Sequence, residues 1–330
     1  MATYKDIQRA TGLSLATISK YYNGRNVLEA NRVAIEEAAA ALRYRPNAFA
    51  RGFRLQRSRT IGVLLPALDN DFHLKMIAGA EDALRDDGIT VIVVSSPTPD
   101  AGAVEVLRSR MVDGIIAIPS PHDVDSLREA AETMPVVIID WEANGVDADR
   151  VFLDNVKAGA LAARHLLDHG HRRVGLVGGE QTISTMRLRQ EGFLGELRAA
   201  GLDAWEVTEG PLTMEQGHAG AFELLHRRPR PTALFSTNYE LTLGAVIAVN
   251  ESGLRIGRDI SLLGFDSVEM AQVTVPKLTI IEQPTRSIAA EAALMIHHRL
   301  SGDYMPGQQR VTKLVAPRLV LGGSVAQLES

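Results

Sequence analysis

The fold is decided first by Thr3-Tyr4-Lys5-Asp6-Ile7-Gln8-Arg9-Ala10-Thr11-Gly12-Leu13-Ser14-Leu15-Ala16-Thr17-Ile18-Ser19-Lys20, near the amino terminus. Thr3 can cap a first helix, and Gly12 can take the positive φ that ends it. Ser14 is then free to cap a second helix. The apolar residues of the two helices are expected to meet in a small seam, namely Ile7, Ala10, Leu13 and Ile18. The spacing predicts two helices joined by a tight turn.

The sequence beyond this pair predicts a small helical unit that ends near residue 46. A third helix is expected from about Leu28 to Leu42, after which Tyr44-Arg45-Pro46-Asn47 breaks it. Leu28 is a weak cap for that helix because its side chain has no hydrogen-bonding atom. Residues 48–54 can form one further short helical turn.

The charge of the chain is divided unevenly along its length. Residues 1–59 hold 11 Lys and Arg against 4 Asp and Glu, a net charge of +7, so the remainder holds 24 against 36, a net charge of −12. Lys and Arg displace the counterions of nucleic acid, so a basic segment suits phosphate binding. A solvated charged surface is the alternative, but basic charge on a helix-turn-helix pattern favours double-stranded DNA as the partner.

From Thr60 onward, short apolar runs alternate with amphipathic helices, as is typical of parallel sheets covered on both faces. The first set of strands is expected at 61–65, 91–94, 114–118 and 136–140, with helices at about 72–85, 102–111 and 124–134. The second set is expected at 174–178, 233–236 and 260–264, with helices near 158–169, 186–200, 214–226 and 241–252. Doubly wound sheets bind ligands at the carboxyl ends of their strands, so a binding site is expected between the two sheets.

Several classes of protein find no support in this sequence. The chain has no cysteine, which excludes disulfide scaffolds and thiolate sites. It has no G-x-G-x-x-G loop, no Walker A loop and no G-x-S-x-G elbow, which argues against a nucleotide-dependent enzyme or a hydrolase. His169-Gly170-His171 has no third ligand nearby in the sequence, which favours a structural role over a metal site. We expect no catalytic residue, no cofactor and no metal.

The first residues lead directly into a polar helix, and no run is long and apolar enough for a membrane span. A cytoplasmic protein without a membrane partner is therefore expected. A freestanding sugar carrier is a further alternative, and it would differ by export and by the lack of a DNA-binding head.

The ordered motifs resemble those of the lactose-repressor and galactose-repressor (LacI/GalR) family of bacterial transcription regulators. The matching segments are Tyr4-Lys5-Asp6-Ile7, Gly12-Leu13-Ser14, Ala16-Thr17-Ile18-Ser19, Asn23-Gly24, Leu42-Arg43-Tyr44-Arg45-Pro46-Asn47-Ala48 and Ala50-Arg51. Because the motifs run directly into a sensor-like region, the resemblance covers nearly the whole chain.

The resemblance implies an all-α helix-turn-helix head followed by an α/β sensor. The sensor would have the fold of type I periplasmic binding proteins, with two doubly wound parallel-sheet subdomains between which the chain crosses three times. The implied segments are a head at 1–46, a hinge helix and linker at 47–59, and a sensor at 60–330, with an N-subdomain at 60–152 and 283–312 and a C-subdomain at 153–282 and 313–330. A homodimer on a near-palindromic operator is also implied.

The resemblance assigns DNA contacts to the second helix and its surroundings. Base reading falls to Leu15, Ala16 and Lys20, and phosphate contact falls to Tyr4, Thr17, Ser19 and Asn23. Lys20 is the long donor of the set and can reach guanine O6 or N7, whereas Leu15 and Ala16 offer apolar contact, for example to a thymine methyl. Simple helix packing is the alternative role for Leu15.

Ala50, Arg51 and Phe53 match the hinge helix, which in this family inserts an apolar side chain into the minor groove. Phe53 stands where the family usually has leucine. Gly52 replaces a usual serine and costs about 1 kcal/mol of helix propensity relative to alanine. Folding of the hinge on contact with DNA is expected. The alternative is a plain linker with Phe53 packed on the sensor.

The positions that match the family's ligand contacts are Asp69, Phe72, Asp140, Arg189, Asn238 and Asp266. Carboxylates accept hydroxyl donors and a guanidinium donates paired N–H groups, so this set suits the vicinal hydroxyls of a sugar or sugar derivative. A lone strand-end Asp or helix Arg can equally be a cap or a surface ion pair. Leu212 stands where many members carry an aromatic ring that stacks on the ligand, which argues against stacking of either a flat purine or an apolar sugar face and leaves the effector unidentified. The effector is expected to act by favouring one arrangement of the two subdomains, with relief of repression as the family's usual outcome.

Overall fold

The computed structural model describes residues 2–22, 25–44, 57–68, 71–99, 102–142, 145–202, 206–266, 268–302 and 305–328. The chain separates into two compact units, the head (Met1–Arg59) and the sensor (Thr60–Ser330). Within the described residues, no helix is both long enough and apolar enough to cross a membrane.

The described part of the head contains the helices α1 (Tyr4–Thr11), α2 (Leu15–Tyr22) and α3 (Glu29–Ala41). Thr3 precedes α1, where its N–H and its hydroxyl both donate to the Asp6 carboxylate at 2.8 Å. Gly12 ends α1 with a φ of 70°. The Ser14 hydroxyl accepts the Thr17 N–H at 3.1 Å and so caps α2. The predicted helix-turn-helix is confirmed, with Gly12 ending α1 and Ser14 capping α2, whereas the Thr3 hydroxyl donates to Asp6 and makes no cap hydrogen bond to an N–H of the described helix.

The core of the head takes one isoleucine from each helix. Ile7, Ile18 and Ile35 are fully buried. Tyr4 stacks on Tyr22 beside them with ring centroids 5.3 Å apart. Burial raises the pKa of Tyr22 to about 12. The expected seam is thus correct for Ile7 and Ile18 but wrong for Ala10, which is exposed, and Ile35 of α3 completes the core instead.

The first lobe of the sensor, the N-lobe, is a parallel sheet with helices on both faces. Its described strands are β1 (Thr60–Leu65), β2 (Thr90–Ser95), β3 (Gly114–Ala117), β4 (Val136–Ile139), β5 (Asp149–Leu153) and β11 (Thr312–Val315), in the spatial order β11-β5-β4-β3-β1-β2. Its described helices are α4 (Asp71–Arg85), α5 (Ala103–Ser109), α6 (Val124–Ala131) and α12 (Thr285–Ser301). Two apolar clusters fill the space between the sheet and these helices.

The second lobe, the C-lobe, repeats the same architecture. Its described strands are β6 (Val174–Val177), β7 (Glu206–Thr208), β8 (Ala233–Ser236), β9 (Ser261–Phe265), β10 (Thr279–Glu282) and β12 (Arg318–Val320), in the order β12-β10-β9-β8-β6-β7. Its described helices are α7 (Asn155–Asp168), α8 (Ser184–Ala199), α9 (Met214–His226), α10 (Tyr239–Glu251) and α11 (Val268–Val273). β12 pairs antiparallel with β10, and the other strand pairs are parallel. Two doubly wound lobes are therefore confirmed.

The chain passes between the lobes after β5, after β10 and between β11 and β12. The last of these passages lies later than position 312, where the resemblance to the family placed it. Residues Lys313 to Val315 pair in register with Val151 to Leu153 of the N-lobe sheet, so the crossing falls at Ala316-Pro317.

The strands that the sequence did not reveal are β5, β7, β10, β11 and β12, and each is short or lies towards an edge of its sheet. β11 leaves most of its side chains exposed, and β5 alternates buried with half-buried positions. Neither has the continuous apolar run that marks a central parallel strand.

α7 and α8 approach each other closely at two glycines. A Cβ on Gly159 of α7 would lie 1.9 Å from the carbonyl oxygen of Arg189, and a Cβ on Gly192 of α8 would lie 1.9 Å from that of Val156. Only glycine permits this backbone contact, which fixes the position of α8 and of the Arg189 that it carries.

We expect Gly192→Ala to lower the free energy of unfolding by about 1–3 kcal/mol, because its methyl group forces two helices apart. Gly195→Ala on the same helix is the matched control. A Cβ there meets nothing within 4 Å, so alanine should stabilise the helix by up to about 1 kcal/mol. Urea unfolding of both variants tests this. Equal free energies of unfolding for Gly192→Ala and Gly195→Ala would show that the close approach of the two helices does not contribute to stability.

Candidate functional site

A cleft of about 320 Å³ lies between the carboxyl ends of the two sheets. Its apolar wall includes Phe72, Ile118, Trp141, Met186, Leu212 and Val268, and its polar wall includes Asp140, Arg189, Asn238, Asp266 and Gln283. The cleft takes residues from both lobes. It lies at the place that two doubly wound sheets predict.

Two aspartates end strands on opposite sides of the cleft. Asp140 follows β4 of the N-lobe with a φ of 56°, and Asp266 follows β9 of the C-lobe with a φ of 59°. Few residues other than glycine adopt this left-handed conformation, and such backbone strain concentrates at functional sites.

Arg189 of α8 is only 2% exposed. Its Nε donates to Asn155 Oδ1 at 2.8 Å, and its Nη1 donates to the Thr237 carbonyl oxygen at 2.8 Å. Its Cζ atom lies 3.8 Å from the centre of the Phe265 ring, a cation–π contact. Within the described residues Nη2 has no hydrogen-bond partner, so a rigidly held guanidinium presents two N–H donors to a ligand.

Burial makes the two carboxylates of the cleft difficult to ionise. Burial raises the pKa of Asp140 to about 6, Arg189 opposes this shift and Asp266 adds to it. Burial also raises the pKa of Asp266 to about 6, against the lowering effects of Arg189 and of the Gln283 amide. Burial lowers the pKa of Arg189, and both carboxylates oppose that shift. The site therefore combines one cation with two acids whose pKa values are raised to about 6.

Acceptors outnumber donors on the polar wall. Asp140 Oδ1 and Gln283 Oε1 are buried and have no hydrogen-bond partner in the described part of the chain. Gln283 Nε2 donates to Asp266 Oδ2 at 2.8 Å, which orients this amide. A buried acceptor without a partner costs free energy, so this polar wall favours a ligand that brings hydroxyl or amino donors.

Asn238 and Phe72 also line the cleft. Asn238 serves partly as a helix cap, since its Oδ1 accepts the Leu241 N–H at 2.9 Å and its Nδ2 donates to Glu240 at 2.6 Å. The cleft thus brings together five of the six residues expected to contact an effector, namely Phe72, Asp140, Arg189, Asn238 and Asp266. The sixth, Asp69, lies outside the described residues.

Sequence reasoning missed Asn155, Gln283, Trp141 and Lys75. Asn155 holds Arg189, and Gln283 follows β10, a strand that was not identified from the sequence. Lys75 of α4 contacts Asp71 and, across the mouth of the cleft, Glu269 of α11, each at 2.8 Å. Strand-end position would have revealed Gln283 once β10 was known. Elsewhere in the described residues, no three His, Asp or Glu side chains are placed to hold a metal ion.

The polar face of α2 carries the expected base-reading residues. Leu15, Ala16 and Lys20 are exposed, and Leu15 retains 38% of its surface. Among the described residues, Leu15 is not one of those packed on the isoleucine core.

The side chains expected to contact phosphates are less exposed to solvent than the expected base-reading side chains. Tyr4, Thr17 and Ser19 are half-buried, and the Thr17 hydroxyl lies 2.9 Å from the Ser14 hydroxyl. The remaining expected DNA contacts, Asn23, Ala50, Arg51 and Phe53, lie outside the described residues.

Known proteins resemble both parts of the chain. Residues 163–325 match the family model of the periplasmic binding protein-like domain. The ribose operon repressor of Haemophilus influenzae is 30% identical over 336 residues, covering 100% of both chains. The transcriptional repressor PurR of Edwardsiella ictaluri is 32% identical over 337 residues, covering 99% of this chain and 97% of the relative. The chain belongs to the lactose-repressor (LacI) family.

Solved structures agree with this membership of the LacI family. The lac repressor dimer bound to operator and an anti-inducer matches with a TM-score of 0.85 and 26% identity over 98% of this chain and 99% of that one. A LacI family regulator from Enterococcus faecium with bound ribose matches with a TM-score of 0.70 and 27% identity over 82% of this chain and 100% of that one. The protein is thus a transcription regulator with a helical head and a periplasmic-binding-protein-like sensor, and not an enzyme.

Because burial raises the pKa of both cleft aspartates from 3.8 to about 6, the native sensor binds more protons than the unfolded chain within that interval. The free energy of unfolding contributed by these groups should therefore fall as pH rises from about 4 to about 6, by about 3 kcal/mol per carboxyl. We expect wild type to lose stability relative to Asp140→Asn/Asp266→Asn between pH 5 and pH 7 in urea unfolding.

Asp125→Asn is the control for this comparison, because the Asp125 side chain is 86% exposed. Its stability difference from wild type should be nearly the same at both pH values. A pH-independent difference for the double variant as well would mean that the cleft carboxyls are ionised throughout.

Proposed function

We propose that this protein is a dimeric repressor that binds a near-palindromic operator and is controlled by an uncharged polyhydroxy effector, a sugar or sugar derivative, in the sensor cleft. The observation that carries the proposal is the polar wall, where the held guanidinium of Arg189 lines the same cleft as Asp140 and Asp266 and interacts electrostatically with both. In this scheme residues 1–46 form the DNA-binding domain, 47–59 the hinge, and 60–330 the effector-binding and dimerisation domain. The protein would act in the cytoplasm, where its DNA is accessible.

The chemistry of the cleft supports a neutral ligand. Asp71, Asp140, Glu240, Asp266 and Glu282 line it, against Lys75 and Arg189 as cations. A phosphorylated or carboxylated ligand would meet this acidic surplus at close range and be repelled. A sugar hydroxyl, in contrast, donates to a carboxylate and accepts from a guanidinium, and the apolar wall suits its C–H face. The ribose operon repressor and the ribose-bound relative support the same class of ligand.

The operator would be read by α2. We assign base contacts to Leu15, Ala16 and Lys20, because these side chains are exposed along the polar face of that helix. Lys20 would donate to guanine, while the two apolar residues would contact methyl groups. Tyr4, Thr17, Ser19 and Asn23 are proposed to contact phosphates. Ala50, Arg51 and Phe53 are proposed to form the hinge in the minor groove, with Phe53 as the wedge.

Effector binding would be coupled to DNA binding because the two lobes both contribute residues to the ligand site. Asp140 belongs to the N-lobe and Arg189 and Asp266 belong to the C-lobe, so one ligand that contacts all three favours a single arrangement of the lobes. Two ion pairs join the same lobes at the surface, Lys75 with Glu269 at 2.8 Å and Arg187 with Glu142 at 3.5 Å. Exposed pairs contribute at most about 1 kcal/mol each, so the ligand can dominate the equilibrium.

Lys20→Ala should reduce discrimination between a palindromic operator and a scrambled duplex by about 1–3 kcal/mol, because a base-edge donor is lost. Fluorescence anisotropy at several salt concentrations measures this. Lys5→Ala, an exposed lysine of α1 outside the proposed base contacts, should leave the discrimination unchanged. Uniform weakening on all duplexes by Lys20→Ala would reassign Lys20 to a phosphate.

A thermal-shift panel of pentoses, hexoses, glycosides and nucleobases should yield a sugar that raises the melting temperature, since binding to the folded state alone stabilises it by about 2.7 kcal/mol at one hundred times Kd. The shift should increase from pH 5.5 to pH 7.5, because hydroxyl donors prefer ionised carboxylates. Asp266→Ala should abolish the shift, and Asp125→Ala should retain it. An unchanged shift in Asp266→Ala would remove Asp266 from the site.

A further inference from the structure

The C-lobe carries a second concentration of positive charge, at the opposite end of its sheet from the cleft. The residues just before β6, β8 and β9 include Arg172, Arg173, Arg228, Arg230 and Arg258, here named the arginine face. Four of them are exposed and Arg230 is half-buried. Such a cluster is unexpected in the part of the chain from residue 60 onward, whose net charge is −12 from 24 basic and 36 acidic residues.

The sheet places these arginines side by side. β9, β8 and β6 are consecutive neighbours, all parallel, so their amino ends lie in a row with a spacing of roughly 4.8 Å per strand. Backbone hydrogen bonds tie the row together, since Thr232 N donates to Arg173 O at 2.8 Å and Ser261 N donates to Thr232 O at 3.0 Å. Arg173 Nε also contacts the Arg230 carbonyl at 3.4 Å. The face is therefore built on a rigid edge.

Nearby acids offset the charge of this face only in part, since Asp259 interacts electrostatically with Arg258. Glu223 pairs with Arg227 and Asp259 pairs with Arg255, which are additional arginines of the same loops. Within the part of the chain that the structure describes, none of the five residues of the arginine face forms an ion pair. Arg172 and Arg228 donate only to backbone carbonyl oxygens. Like charges held together with so little opposite charge beside them favour an anionic partner.

We propose that the arginine face is a second, sequence-independent contact surface for the phosphate backbone of double-stranded DNA, separate from the head. A protein partner would need an apolar centre, whereas protein–DNA interfaces are polar and strongly positive, and the face itself consists of arginines. Arginine rather than lysine suits paired contact with phosphate oxygens. A symmetric end-to-end contact between two copies would place like charges together, so self-association through this face is disfavoured.

The first test is arginine footprinting of the full chain with phenylglyoxal and mass spectrometry, with and without a short random-sequence duplex at low salt. Duplex should slow modification of Arg173, Arg230 and Arg258 by severalfold. Arg9 and Arg25, both exposed in the head, report head binding in the same sample. Protection of the head arginines alone would overturn the proposal while leaving the proposed function intact. The same footprinting is repeated with polyglutamate in place of the duplex. Protection of the arginine face by polyglutamate but not by duplex would also overturn the proposal and would indicate an acidic protein as the partner.

The second test is the salt dependence of random-duplex binding by the full chain. Each phosphate contact contributes about 0.9 to the slope of log affinity against log salt, so Arg173→Gln/Arg230→Gln/Arg258→Gln should lower the slope by about 2 to 3. The matched control, Arg85→Gln/Arg164→Gln/Arg286→Gln, removes the same charge from exposed helical sites elsewhere on the sensor. It should leave the slope near the wild-type value. Equal slopes for wild type and the first triple variant, at equal melting temperature, would overturn the proposal.

Discussion

The buried guanidinium of Arg189 is the constraint on which the sensor depends. A charge that is only 2% exposed is costly unless its donors are occupied and opposite charges lie near it. Asn155, Thr237 and the Phe265 ring hold it in place, and Asp140 and Asp266 compensate its charge. The glycine contacts between α7 and α8 bring its helix close enough for these bonds to form. Helix packing, strand ends and the cleft are therefore parts of one arrangement.

The architecture could be predicted from the sequence wherever the position of a segment in the fold requires one particular residue pattern. Buried parallel strands such as β1 and β9 need continuous apolar runs, and the turn at Gly12 needs a positive φ. Strands at or next to the edge of a sheet, such as β11 and β5, are less buried, so their sequences lack the continuous apolar run that identifies a strand. The same reason explains why Gln283 was missed, because its position only becomes informative once β10 is placed.

Some residues of the site could be identified from the sequence for a related reason. Asp140 and Asp266 stand at the ends of apolar runs, where the resemblance to the family pointed to ligand contacts, and the cleft contains both. Asn155 could not be identified in this way, because its role depends on the approach of α8 to α7. Tertiary proximity of this kind has no local sequence signal. The prediction that Ala10 is buried was wrong for the same reason, because α3 contributes Ile35 to the core of the head and Ala10 is exposed.

Lys75 shows how the lobes could separate at small cost under the proposed function. It contacts Glu269 across the cleft and Asp71 one turn away on its own helix, so opening the cleft leaves the ammonium with one carboxylate partner. Arg189 and Asp140, in contrast, lose their mutual attraction when the lobes part, in a setting that water screens poorly. A ligand that donates to Asp140 and accepts from Arg189 bridges this interaction and adds its own hydrogen bonds to the closed arrangement only. The difference in affinity between the two arrangements, which any allosteric effector must supply, therefore arises at Asp140 and Arg189 rather than at the surface ion pairs.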